Sequence, residues 1–130
     1  RHVRAHKRHD REVVTLNPAD AASRGIAEGD AVRLFNDRGA CFAVAALDEG
    51  IFPGVAILPT GSTFDPAGGV DRNSNPNVLT RDIGTSEISQ GCAAQSCLVE
   101  IARHDGPLPD LDAYRPPVLR AAAPTVTERQ

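Results

Sequence analysis

Between residues 60 and 95 this chain gathers the side chains best suited to holding a ligand: asparagine, glutamine, serine and threonine. An Asn or Gln amide offers two N–H donors and a carbonyl acceptor, a set that suits the edge of a heteroaromatic ring such as a pterin or guanine. Asn77 and Gln95 are of this kind. Gly84-Thr85-Ser86, placed at the start of a helical turn over 87–90, would present backbone N–H groups and hydroxyls to a diphosphate. The residues by themselves favour a plainer account, because Asn and Ser in loops more often simply make turns. Asp71-x-Asn73-x-Asn75, with Asp82 at the twelfth position, resembles the opening of a calcium loop, but Pro76 occupies the sixth position, where the sharp turn needs glycine. A turn-rich loop explains that spacing better. Cys92 and Cys97, with His104 beyond, lack the close cysteine pair of a structural zinc site. The sequence contains no nucleophile elbow, no His-Glu-x-x-His, no GxGxxG and no phosphate loop. No residue is assigned a catalytic or a metal-ligating role.

A chain of 130 residues, 41% hydrophobic and 24% charged, suits one domain with one core. It has no apolar run of the roughly 20 residues that a membrane helix needs. Its first ten residues are basic and polar, unlike a signal peptide. Residues 1–12 hold five basic side chains against Asp10 and Glu12, so a positive arm precedes an acidic remainder. That arm is expected to be solvated and mobile. An acidic body does not suggest a nucleic-acid module. Three cysteines, an odd number, argue against a disulfide-stapled scaffold, and Cys41 in its apolar run is expected to be a small buried hydrophobe.

The elements that must position the polar stretch are short. Val13 to Leu16 predicts a strand, and Asn17-Pro18-Ala19-Asp20 a helix start, with Asn17 as cap, Pro18 at the first position and Asp20 able to reach back. Gly25 should end that helix in the left-handed conformation. Strands follow over Ala31–Asn36 and Ala40–Leu47, joined by the hairpin loop Asn36-Asp37-Arg38-Gly39 with Gly39 at a positive φ. The second is nearly all apolar and is expected to be buried on both sides. Val55–Leu58 predicts another buried strand and Cys97–Ala102 a last, alternating one. Val78-Leu79 and Ile83 serve as apolar anchors, and the Pro-rich end beyond His104 as an extended tail.

The order of these pieces resembles a known family. Asn17-Pro18-Ala19-Asp20-Ala21 through Arg24-Gly25-Ile26, then Glu28-Gly29-Asp30-Ala31-Val32-Arg33 and Asn36-Asp37-Arg38-Gly39, resemble the C-terminal molybdopterin dinucleotide-binding domain of the dimethyl sulfoxide reductase family. The resemblance continues through Pro53-Gly54-Val55, Gly61 to Pro66, Asn75 to Thr80, Asp82 to Ser86 and Gln90 to Ala93, and takes in about residues 12–104. The helix-to-Gly-Asp segment is common to other double-psi barrels. Asn77-Val78-Leu79-Thr80 and Gly84-Thr85-Ser86 make it specific, with the biotin sulfoxide, trimethylamine N-oxide and dimethyl sulfoxide reductase branches the most similar.

This resemblance implies a mainly β fold, a six-stranded double-psi β-barrel with one or two short helices over residues 13–104, between a basic arm (1–12) and a Pro-rich C-terminal tail (105–130). It implies a bis(molybdopterin guanine dinucleotide)-molybdenum cofactor, and the remaining domains of a molybdenum catalytic subunit as partner. The intact enzyme would be bacterial, cytoplasmic or periplasmic, and would reduce S-oxides or N-oxides. By position, Asn77 and Gln95 are the first cofactor contacts implied, followed by Ser86, Thr85, Gly61 and Asp65. Thr63-Phe64 stands where these enzymes often carry a tryptophan. The molybdenum-ligating side chain belongs to earlier domains, so the chain is not expected to be catalytic on its own. The rival reading is a double-psi barrel adaptor or substrate-binding module without a cofactor.

Overall fold

The computed structural model describes residues 3–93 and 97–116. Its framework is a curled sheet. Strand β1 (Val13–Leu16) leads into helix α1 (Pro18–Ser23), and β2 (Ala31–Phe35) turns back into the long β3 (Ala40–Leu47). Two-residue strands β4 (Ala56–Ile57), β5 (Pro66–Ala67) and β6 (Val70–Asp71) follow, and β7 (Glu100–Arg103) is the last. The main order is β4-β1-β3-β2-β7, with β6 on β3 and β5 on β6. One edge of β3 is taken by β2 in antiparallel register, while the other is divided between parallel β1 (Val13 opposite Val44) and parallel β6 (Cys41 opposite Asp71). The fold is mainly β, few in helices, and forms a half-barrel.

The continuous apolar character of β3 follows from that central place. Six of its eight residues are buried, because side chains on both faces meet protein. Val14, Leu16, Val32, Leu34 and Ile101 alternate inward from their strands and close the core with Ala21, Ile26, Cys41 and Leu79. Helix α1 forms as its sequence predicts: the Asn17 side chain accepts from the Ala19 amide at 2.9 Å, and Gly25 has φ +65°. The Ile26 amide donates to the Ala21 carbonyl and the Gly25 amide to that of Ala22, so the helix ends in a Schellman motif. Asp20, expected to reach back to the cap, instead accepts from the Gly54 amide at 2.6 Å and pins the neighbouring turn.

Several expectations are corrected. Residues 1–12 are not wholly a solvated arm: Arg11 and Glu12 are buried, and Lys7 forms a 2.8 Å ion pair with Glu12. The strand at 55–58 shrinks to two residues, with Val55 and Ile57 about half exposed, because it pairs on one side only. Ile83 is exposed, whereas Leu79 anchors in the core. No helix forms over 87–90; the chain there folds back on itself, with Gly84 bridged to Cys92. The loop 60–77 is not structureless, since Gly68 and Gly69, both at positive φ, make a two-residue turn between β5 and β6. Nor does the tail leave the body at His104: Arg11 and Arg72 donate to the carbonyls of Pro109 and Asp110.

Gly39 is required for a reason other than the one its turn suggests. Its φ is not positive, but a Cβ there would lie 2.6 Å from the Val78 carbonyl oxygen, so glycine lets the hairpin approach the segment that carries Asn77. Gly39→Ala and Gly39→Asn should both lower stability, by about 1–3 kcal/mol, read as a reduced denaturant midpoint. A left-handed position would tolerate Asn better than Ala, so a near-neutral Gly39→Asn would restore the turn explanation.

Candidate functional site

The polar loop is organised around one buried carboxylate. Asp71, 2% exposed, accepts from the Asp65 amide at 2.7 Å through one oxygen, and from the Asn73 and Asn75 amides at 3.2 and 2.7 Å through the other. The Asp-x-Asn-x-Asn spacing therefore serves the loop's own backbone. Asn73, fully buried, donates to the Thr63 carbonyl at 2.8 Å and ties residues 61–63 to the same knot. Ser74 donates to the Phe42 carbonyl and accepts from the Glu12 amide, which fastens the loop to β3 and to the chain before β1. Asn75 caps the 3₁₀ turn Pro76–Val78 by accepting from the Asn77 amide at 3.0 Å. Among the described residues, no three His, Cys, Asp or Glu side chains are placed to share a metal ion.

A second set of contacts presses the loop against the hairpin. The Leu79 carbonyl accepts from Asn36 (2.9 Å), Arg38 (2.7 Å) and the Cys97 thiol (2.9 Å). Asn36 also donates to the Leu98 carbonyl at 3.0 Å, so one amide bridges the chain after Asn77 and the chain at Cys97–Leu98. Cys41, expected to be a small buried hydrophobe, is buried, with its thiol pushed up to about 12 by burial and the nearby Asp71 charge.

The six implied cofactor residues fare differently. Asn77 is exposed, and its side chain makes no hydrogen bond with the described residues. Gly61 is exposed at φ +108°. Asp65 is 5% exposed and fully engaged: it pairs with Arg72 at 2.5 Å and accepts from the Asp112 and Ala113 amides at 2.8 and 3.2 Å. Thr85 and Ser86 are exposed, but their donors turn inward. Their amides bond to the Gly91 and Ser89 carbonyls, and both hydroxyls donate to Ser89. The helix N-terminus expected there as a diphosphate seat does not form. Gln95 lies outside the described residues. Asp71 and Asn73 bring Gly61, Asp65 and Asn77 onto one scaffold, and no described contact joins Thr85 or Ser86 to it. Two grooves of about 700 and 140 Å³ are lined by other residues.

Sequence reasoning missed the clasp beside this loop. Lys7 contacts Glu12, Ser62 and Tyr114; Tyr114 donates to Asn73; and Arg72 reaches Asp65 and Asp112. Burial would lower the Lys7 pKa, but its bonds to Glu12 and Tyr114 prevail and raise it. The only available signals were charged residues of opposite sign (Lys7 with Glu12, Arg72 with Asp65 and Asp112), which a sequence does not pair.

Residues 1–98 match the Molydopterin dinucleotide binding domain family. This chain belongs to that family. The match takes in residues 1–12, in keeping with the burial of Arg11 and Glu12. The chain is 50% identical over 123 residues to the biotin sulfoxide reductase of Cereibacter sphaeroides, covering 93% of this chain and 16% of that protein. It is 45% identical over 113 residues to the trimethylamine-N-oxide reductase of Salmonella typhimurium (83% of this chain, 13% of that protein), and 45% identical over 101 residues to trimethylamine-N-oxide reductase 1 of Escherichia coli K12 (74% and 12%). This dinucleotide-binding domain thus spans less than a fifth of the relatives it matches. Among the described residues, no helix is long and apolar enough to cross a membrane.

Two stability effects follow. Asp71→Ala strands three loop amides and should cost about 2–4 kcal/mol, read by chemical denaturation. Burial pushes the Asp65 carboxyl up, but the Asp112 amide, the Arg72 guanidinium and the Ala113 amide outweigh it and hold it below its ordinary value of 3.8. A carboxyl held low contributes stability that is complete above its unfolded pKa and lost as pH falls through the lowered folded value. The stability gap between the parent chain and Asp65→Asn should therefore be widest above pH about 4 and narrow in more acid solution. A gap that is constant with pH would count against an ionised Asp65.

Proposed function

We propose that this chain is the C-terminal cofactor-binding domain of a molybdenum oxidoreductase that reduces S-oxides or N-oxides. It binds the guanine dinucleotide arms of a bis(molybdopterin guanine dinucleotide) cofactor. The observation that carries this reading is the 50% identity over 93% of the chain to a biotin sulfoxide reductase, supported by the trimethylamine-N-oxide reductases. On this reading the curled sheet belongs to a six-stranded double-psi barrel, and the remaining domains of the catalytic subunit are its partners.

The chain's chemistry fits the heterocyclic part of such a group. The Asn77 amide is exposed on a turn fixed from both sides, with its donors and acceptor uncommitted within the described chain. Held this way, it meets a pterin or guanine edge with little loss of side-chain freedom. Gln95 supplies a second amide, and Gly61 lets the backbone come close to the ligand. Asp65, with both oxygens engaged, acts by fixing the loop. Thr85 and Ser86 contribute once their hydroxyls turn from the Ser89 carbonyl towards a phosphate. When bound, the cofactor supplies the redox chemistry; the chain supplies binding and orientation, and none of its residues handles the transferred oxygen.

In the intact enzyme, Asn77→Ala and Gln95→Ala should each weaken cofactor retention by about tenfold, the worth of a lost hydrogen bond of roughly 1.4 kcal/mol. Molybdenum content after gel filtration reads this directly. If both variants keep the cofactor as the parent does, the residue assignment is wrong.

A further inference from the structure

The chain closes on its polar loop from two directions. From the N-terminal side, the buried Lys7 ammonium contacts the Glu12 carboxylate at 2.8 Å and the Ser62 hydroxyl, next to Gly61, at 3.3 Å. From the C-terminal side, residues 109–114 run along the loop as a strap. The Asp112 and Ala113 amides donate to one Asp65 oxygen, while Arg72 pairs with the Asp112 carboxylate at 3.1 Å and donates to the Asp110 carbonyl at 2.9 Å. Tyr114 joins the two sides. Its hydroxyl accepts from Lys7 at 3.2 Å and donates to the side-chain oxygen of the fully buried Asn73, also at 3.2 Å.

Among the described residues the hydrophobic core takes in nothing beyond Ile101, so the strap adds no packing to the sheet. Its bonds fall on loop side chains that in turn hold loop backbone. Asn73 donates to the Thr63 carbonyl, two residues from Gly61. The Asp65 amide shares the Asp71 carboxylate with the amide of Asn75, and Asn75 caps the turn that carries Asn77. The Pro109 carbonyl accepts from Arg11, which also donates to the Arg72 carbonyl, so this tie leads back to the same loop.

We propose that residues 109–114 set the shape of the cofactor-binding loop, with Tyr114 and Asp112 as positioning residues for Gly61 and Asn77. Each acts through other side chains: Tyr114 through Asn73 and Lys7, Asp112 through Arg72 and Asp65. Without the Tyr114 hydroxyl, the buried Asn73 oxygen loses this partner, and the amide that holds Thr63 is less firmly set. Without the Asp112 carboxylate, the Arg72 guanidinium that grips Asp65 loses one of its two ion pairs. The loop is then free to sample shapes in which Gly61 and Asn77 no longer face one ligand, and binding must select among them.

This inference rests on the reading of Gly61 and Asn77 as cofactor contacts, and the test separates the two. Tyr114→Phe and Asp112→Ala are made in the intact enzyme; both residues are exposed, and the first keeps its ring, so the domain still folds. Amide hydrogen exchange is followed in residues 61–65 and 73–77, with β3 as the control, beside molybdenum content after gel filtration. Each variant should speed exchange in the loop by about tenfold, leave β3 at the parent rate and retain less molybdenum. Loop exchange at the parent rate in one variant removes that residue's role, and in both it overturns the strap. A rise shared equally by β3 also overturns it, because the contacts would then serve overall stability alone. So does a loosened loop that keeps its molybdenum as the parent does, since shape and binding would not be coupled. An enzyme devoid of molybdopterin refutes the cofactor reading, and the exchange rates still decide whether the strap holds the loop.

Discussion

A loop with little regular secondary structure can enter a protein interior only if its backbone amides find acceptors, and the Asp71 carboxylate meets that condition here. It serves the amides of Asp65, Asn73 and Asn75 at once, from a position that β6 holds beside Cys41 of the central strand. An unpaired buried amide costs about 1–3 kcal/mol, so three of them would outweigh the packing of a segment this poor in apolar side chains. The loop's polar composition thus follows from its path. Asn73 and Ser74 are fully buried because the knot needs their hydrogen bonds, and among the described residues no buried side-chain polar atom lacks a partner.

The sheet supplies the fixed points from which this knot is hung. Strand β3 is gripped by β1, β2 and β6, and the hairpin that joins it to β2 reaches over to residues 78–79. Asn36 and Arg38 turn the Leu79 carbonyl into a junction, while the Leu79 side chain is sealed in the core. Asn77 is consequently held from both directions, through its cap at Asn75 and through the core residue two positions on. A side chain presented on so constrained a turn loses less freedom on meeting a ligand than one on a mobile loop.

What the sequence made legible was local. Asn17-Pro18 and Gly25 specify a helix and its end by rules that act within a few residues, and the apolar run 40–47 could only be a strand covered on both faces. The Asn-Pro-Ala-Asp, Gly-Asp and Asn-Val-Leu-Thr pieces carried the family. Misreadings fell where a distant partner decides the outcome. Asp20 suited a capping box, yet Gly54 claimed its carboxylate. Gly39 suited a left-handed turn, yet Val78 sets its need for a bare Cα. Ser86 suited a helix cap, yet Ser89 and Gly91 draw the same residues into a fold-back. Arg11 and Lys7 looked like solvated charges because the Arg72 and Pro109 carbonyls that Arg11 reaches, and the Ser62 and Tyr114 hydroxyls that Lys7 reaches, come to them only in space.

The same distinction bears on the residues proposed to face the ligand. Where polar groups are turned inward they build the domain: Asp65 binds the tail, Asn73 binds Thr63, and the 84–91 fold-back consumes its own donors. Where a polar group is fixed but has no partner among the described residues, as at Asn77, it keeps its hydrogen-bonding capacity at a position the chain has otherwise made rigid. Rigidity together with an open hydrogen-bonding capacity is what a pre-organised binding group requires, and folding alone gives no reason to keep both. On the proposed reading, that combination, more than the abundance of amides and hydroxyls between 60 and 95, is what sets Asn77 apart from the loop-building residues.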